Sequence, residues 1–330
     1  MILRLFGRRS SPDTCSASPG SVVAERYQAA EENKLVEDRL LRAFQLRRFG
    51  HIIARRSQWV GHPKASPTEQ AALKAIDEQF RIVPKGFVSI GLTLDNEPGC
   101  PEQSFETEPF LLERHAVTNE AFQLFVDDGA YEDLELWPED IWPNMIDFMD
   151  HTDRPAPGLW RDGRHDKQLA NYPVVGICYY EAAAYASWAG YRLATEAEWQ
   201  MAASWSLLNS AHTGRRYPWG DALELEHCNI WACKHGRVLP VDACPGGAAP
   251  NGVEQLIGNV WEWTSSDFVT TDDEGRPVIG GEMALKSIRG GAFDTYFPWQ
   301  ATSQFRTGMA GLSRTHNVGF RCVLDLRNSG

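Results

Sequence analysis

Apolar spacing along the chain sets out the elements. Val36, Leu40 and Phe44 recur every four residues with Leu41 beside them, so the charged stretch 23–56 predicts a helix with one apolar stripe. Arg pairs at 47–48 and 55–56 fall toward its end, where cations suit the helix dipole. Pro63 and Pro67 break it, and Ser66-Pro67-Thr68-Glu69 opens a second helix to about Phe80. Phe87-Val88-Ser89-Ile90-Gly91 and Phe110-Leu111-Leu112 read as strands. Thr118-Asn119 caps a helix carrying Ala121, Phe122, Leu124, Phe125 and Val126, and Tyr179–Ala189 forms another, ended by Gly190. Thr195 and Glu198 form a capping box, each satisfying an orphan amide of the other's turn. Beyond Trp205 the chain turns to short runs of Gly, Pro, Asn and Trp. Helices followed by short strands and long loops make an α+β pattern. The expected organisation is a flexible tail over 1–22, a basic helical extension over 23–80 and a main domain over 81–326.

Charge narrows the function classes. The 330 residues include 44 acidic and 32 basic side chains, a net of −12, which speaks against a general nucleic-acid binder. The balance is uneven: residues 1–65 carry +6, leaving −18 on the rest. The basic helix either packs its stripe on the body with its arginines in solvent or meets a protein partner or acidic surface. No window approaches 18 consecutive apolar residues, so no membrane span is predicted. Arg8-Arg9 is followed by polar residues rather than the apolar run of an export signal, and seven scattered cysteines suit reduced thiols. These features predict a cytoplasmic protein.

Five motifs then stand in order: Arg192-Leu193-Ala194-Thr195-Glu196-Ala197-Glu198-Trp199, Tyr217-Pro218-Trp219-Gly220-Asp221, Gly258-Asn259-Val260-Trp261-Glu262-Trp263-Thr264, Ile288-Arg289-Gly290-Gly291 and Asn317-Val318-Gly319-Phe320-Arg321-Cys322. Together they make residues 84–326 resemble the formylglycine-generating enzyme (sulfatase-modifying factor) family. The resemblance implies a loop-rich variant of the C-type lectin fold. It also implies a calcium site at Gln255, Gly258, Val260 and Glu262, with Gln255 where the best-known members have Asn; pairing of Glu262 with an Arg is the plainer alternative. A second family calcium site maps onto Asn229 and Ile230, but the following loop lacks the family's Asp.

The redox chemistry of the resemblance is missing its ligands. Formylglycine-forming members hold copper with two cysteines between the Gly-Gly motif and the final Gly-Phe-Arg, whereas residues 292–306 here contain none. The aligned positions fall near Pro298 and Ser303, so no copper site is expected. The ergothioneine-pathway branch binds non-haem iron through a His-x3-His-x-Glu spacing that the nine histidines do not reproduce. Clustered His151, Asp153, His165 and Asp166 leave iron open, since ligands need converge only in space. His227-Cys228-x4-Cys233-x-His235 offers four metal-capable side chains, although its spacing matches no common zinc motif. Cys178 reads as a buried thiol at a helix N-cap.

A groove is what the resemblance leaves. Asn317 opens its terminal motif, and Trp299, Ser303, Gln304, Arg306, Arg314 and His316 would line it for a peptide or small-molecule ligand. The leading expectation is a binding module without formylglycine-generating activity. The competing one is a metal- and O2-dependent oxidoreductase of the non-haem iron type, acting on a peptide or an amino-acid-derived thiol.

Overall fold

Short apolar runs punctuated by Gly, Pro and polar turns give twelve strands among the described residues, none longer than seven residues. The computed structural model describes residues 34, 38–56, 67–91, 102–205, 214–271, 277–278 and 285–326. The tail expected over 1–22, and Val36 of the apolar stripe, lie outside them. The chain divides into unit 1–42, in which residues 38–42 are helical, and unit 43–330.

In the larger unit the helices are α1 (Phe49–Arg56), α2 (Pro67–Gln79), α3 (Asn119–Asp127), α4 (Tyr179–Ala189) and α5 (Glu196–Ser204). The helix expected over 23–56 is interrupted by a turn at 46–47, where Arg47 stands at φ 56°, before α1 begins; the caps of α3, α4 and α5 are those the sequence predicts. Thr118 caps α3 by accepting the Ala121 N–H, Gly190 closes α4 at φ 77°, and Thr195 with Glu198 forms the capping box of α5. Cys178 stands at the N-cap of α4, buried, its N–H donated to Glu181 at 2.8 Å. Arg48 ties the segment before α1 to the end of α4, its Nε donating to the Trp188 carbonyl at 2.6 Å.

The strands are β1 (Phe80–Val83), β2 (Gly86–Gly91), β3 (Glu102–Thr107), β4 (Phe110–Glu113), β5 (Arg192–Leu193), β6 (Trp261–Asp267), β7 (Thr270–Thr271), β8 (Pro277–Val278), β9 (Leu285–Arg289), β10 (Arg306–Ala310), β11 (Val318–Gly319) and β12 (Cys322–Leu324). One four-stranded sheet runs β1-β4-β12-β5, all antiparallel; a second runs β10-β9-β6-β11, with only β11–β6 parallel. The first sheet thus joins the start of the domain to its last strand, which closes the chain on itself. Phe80 belongs to β1 rather than to the end of α2, because Phe80–Val83 pairs in register with Phe110–Glu113. Trp199, Phe110, Leu112, Ile230, Leu256 and Val323 are buried together in one core cluster between the helices and sheets. The mixture of helix and short-strand sheets is the α+β fold expected.

Candidate functional site

Two buried ion-pair systems fasten this fold, and both take up residues from the motifs. Arg321, just before β12, reaches Glu262 on β6 of the other sheet: Nε lies 2.8 Å from Oε2 and Nη2 lies 2.7 Å from Oε1. Trp199 Nε1 donates to the same Oε2 at 2.8 Å, and the other Arg321 N–H groups donate to the carbonyls of Glu113, Arg114 and Glu254. Burying two charges is tolerable here because the guanidinium fork is bidentate and its remaining donors are used. In the second system Glu196, in the first turn of α5, accepts from Arg289 at 2.8 Å and from Arg306 at 2.7 and 2.9 Å. Burial alone would raise the Glu196 carboxyl, but the Arg289 and Arg306 guanidiniums outweigh it and hold it below its ordinary value.

These placements correct several expectations. Glu262 presents no free carboxylate to a cation, since Arg321 and Trp199 hold both oxygens. Gln255 likewise spends its Oε1 on Asn259 and its Nε2 on the Pro240 carbonyl, and the Gly258 carbonyl accepts the Val260 N–H. Gly258 is required by shape: at φ 80° its missing Cβ would come within 2.5 Å of the Asn229 carbonyl oxygen. Ser303, Arg306 and Arg314 serve the interior instead of a groove. Ser303 is fully buried with its hydroxyl on the Ala203 carbonyl, and Arg314 binds Glu181 together with the carbonyls of Met149 and Ala156. Gln304 donates to the Arg215 carbonyl at 2.8 Å. A guanidinium beside a buried carboxylate gains more from that partner than from solvent, which is why the two arginines turn inward.

Asn229 behaves differently. Its Nδ2 donates to Asn259 Oδ1 and the Arg237 carbonyl, while its Oδ1 is buried without a partner among the described residues. Ile230 beside it is wholly buried. Among the described residues no group of three or more His, Cys, Asp or Glu is placed to hold a metal ion, so His151, Asp153, His165 and Asp166 do not converge, nor do His227, Cys228, Cys233 and His235.

His316 and Asn317 come together on Asp294, while Trp299 lies five residues further along the same loop. Asn317 Nδ2 lies 3.1 Å from both oxygens of Asp294, and His316 Nε2 lies 3.4 Å from Oδ2. The loop carrying Asp294 leaves β9 through Gly290-Gly291 and turns on Thr295, whose Oγ1 accepts the Ala292 N–H. From that turn an aromatic row runs outward. Trp231 meets Tyr296 at 6.0 Å between centroids, Tyr296 meets Phe297 at 5.1 Å, Phe297 meets Trp299 at 5.9 Å, and Trp299 meets Phe305 at 5.3 Å. Trp231, Tyr296, Phe297 and Trp299 are each 50–63% exposed. Four adjoining large aromatics left in water are a surface in want of a partner. The sequence did hold a signal: Phe293-Asp294-Thr295-Tyr296-Phe297-Pro298-Trp299 packs four aromatics and one acid into a stretch without helical or strand period. A separate cavity of about 400 Å³, lined by Phe49, Gln79, Glu113 and His115 among others, touches none of these residues.

Comparison with known proteins fixes the family. Residues 65–326 match the sulfatase-modifying factor enzyme 1-like domain. A hercynine oxygenase of Mycobacterium tuberculosis is 34% identical over 220 residues, covering 61% of this chain and 49% of that protein. This chain thus spans about half the length of that curated relative. An inactive Cα-formylglycine-generating enzyme 2 of Bos taurus is 30% identical over 252 residues, covering 68% of this chain and 79% of that protein. The structure of PvdO from Pseudomonas aeruginosa superposes with a TM-score of 0.50 at 22% identity, covering 74% of this chain and 93% of that one, a likeness of fold. No helix among the described residues is long and apolar enough to cross a membrane. The chain belongs to the sulfatase-modifying factor enzyme 1-like family.

Proposed function

We propose that this protein is a ligand-binding member of its family, without formylglycine-generating activity, whose Trp231–Trp299 aromatic surface takes a cationic amino-acid-derived or peptide ligand. The carrying observation is the exposed aromatic row that follows Asp294 in the same loop. Ring faces attract a cation, and a half-exposed carboxylate flanked by His316 and Asn317 supplies the opposing charge and fixes orientation. A relative named as inactive shows that the family includes members without the enzyme activity. Titration calorimetry with hercynine, a histidine betaine, and with a short lysine-containing peptide tests the reading. Saturable binding of either probe, lost in Asp294→Asn and Trp299→Ala variants that melt like the parent, is expected. Heats no larger than dilution for both probes would overturn it.

A second reading has its own support. The hercynine oxygenase relatives favour an oxidoreductase role acting on an amino-acid-derived thiol or peptide. Oxygen uptake by iron-supplemented protein, given hercynine and a thiol, separates it from binding alone. For calcium, the unpartnered Asn229 Oδ1 is the fitting donor, with Ile230 adding backbone oxygen; the ion would brace the loop beneath Trp231. The basic N-terminal helix is assigned to a protein partner, and the cytoplasm to the whole chain, on charge and thiol usage alone.

A further inference from the structure

Two cysteines, Cys228 and Cys233, come close in the loop that supports Trp231. The turn Trp231–Cys233 brings the chain back on itself, placing Cys233 Sγ 3.4 Å from the Cys228 carbonyl oxygen and 3.3 Å from that of Leu225. The Ile230 N–H points at Cys233 Sγ from 3.5 Å, and the Cys228 thiol donates to the Glu224 carbonyl at 3.7 Å in the same loop. Lys234 closes the turn in the left-handed region at φ 61°. Cys228 is buried and Cys233 half-buried; the other described cysteines, Cys178, Cys244 and Cys322, are all buried. The more accessible Cys233 is the one an external reagent meets first.

We propose that Cys233 and Cys228 form a redox-responsive pair closed by thiol–disulfide exchange with a low-molecular-weight disulfide such as oxidised glutathione. The Cys233 thiolate attacks one glutathione sulfur, forming a mixed disulfide and releasing a glutathione thiolate. The Cys228 sulfur then attacks the Cys233 sulfur, closing the protein disulfide and releasing the second glutathione. The two cysteines lose two electrons and two protons, and oxidised glutathione becomes two glutathione thiols. The bridge spans the turn that carries Trp231, whose N–H donates to the Thr295 carbonyl at 3.2 Å and whose ring meets Tyr296. Closure therefore acts on one end of the aromatic row, a consequence that rests on the ligand-binding reading above, whereas the exchange itself does not.

The test is thiol mapping on the full chain. Folded protein is incubated with oxidised glutathione, blocked with N-ethylmaleimide and mapped by peptide mass spectrometry. A Cys228–Cys233 bridge is expected in the parent and in Cys244→Ser. In Cys228→Ser and Cys228→Ala the reaction should stop at glutathionylated Cys233, at least about tenfold more abundant than in the parent, because only the parent holds a resolving thiol in the same turn. Cys228 that stays alkylated while Cys233 stays glutathionylated in the parent, or a bridge that uses Cys244, would overturn the pair. Hercynine titration of the bridged form then reads the coupling. A change in Kd of about threefold or more is expected, and equal affinity of reduced and bridged forms overturns the coupling alone.

Discussion

Trp299 and Arg306 lie seven residues apart and face opposite worlds: the tryptophan is half exposed, and the arginine is 6% exposed on a buried carboxylate. The contrast extends to the two regions they represent. Around Glu196 and Glu262 the charges are matched and desolvated, Glu262 with Arg321 from one sheet to the other and Glu196 of α5 with Arg289 and Arg306 of a single sheet, so those residues hold the fold. Around Asp294 the side chains stand in water with apolar area unspent. Glu196, Glu262, Arg289 and Arg321, all motif residues, lie in the first region, while Asp294 and the four exposed aromatics lie outside the motifs. A motif residue in this scaffold identifies the fold, and function has to be sought in the loop between motifs.

Breaking the first region should cost most. Glu262→Ala leaves the Arg321 guanidinium buried without its carboxylate, and a loss of roughly 3–5 kcal/mol in urea unfolding is expected. Glu196→Gln strands parts of both Arg289 and Arg306 and should cost a similar or slightly smaller amount. Next comes Glu113, which accepts the Cys322 N–H and Gln79 Nε2 in the interior, and whose carboxyl burial pushes up to about 7. A carboxyl raised on folding binds its proton more tightly in the native state. Its contribution is therefore full below the unfolded value of about 4.5 and is lost as pH climbs to about 7. Relative to Glu113→Gln, the parent should lose at most roughly 3 kcal/mol over that window, read from urea midpoints at each pH. The smallest stability effects belong to the second region: Trp299→Ala and Tyr296→Ala should shift unfolding by less than about 1 kcal/mol, since half-exposed rings give up little burial. If those variants unfolded like Glu262→Ala, the division between fold and surface would fail.

Much of this was legible in the chain. The caps Thr118, Gly190 and Thr195–Glu198 were readable because a cap is a local chemical rule. The α+β class followed from helices set before short strands and long loops, and the family from five motifs in order. The destinations of Arg306, Arg314 and Glu262 were not readable, because a buried ion pair is decided by partners far along the chain, 110 residues away for Arg306 and Glu196. Asp294 was missed for the same reason: its meaning appears only when Asn317 and His316 arrive from the other side. Trp299, His316 and Asn317 were singled out because the resemblance pointed to their segment, not because of any spacing of their own.

The most direct test of the surface is a map of indole signals. Selectively ¹⁵N-labelled tryptophan reports all twelve indoles, and hercynine can be titrated into the full chain. The account predicts saturable shifts for Trp231 and Trp299, with the indoles of Trp199 and Trp263, buried in the fold, unmoved. Shifts confined to other tryptophans, with Trp231 and Trp299 silent at saturation, would contradict it.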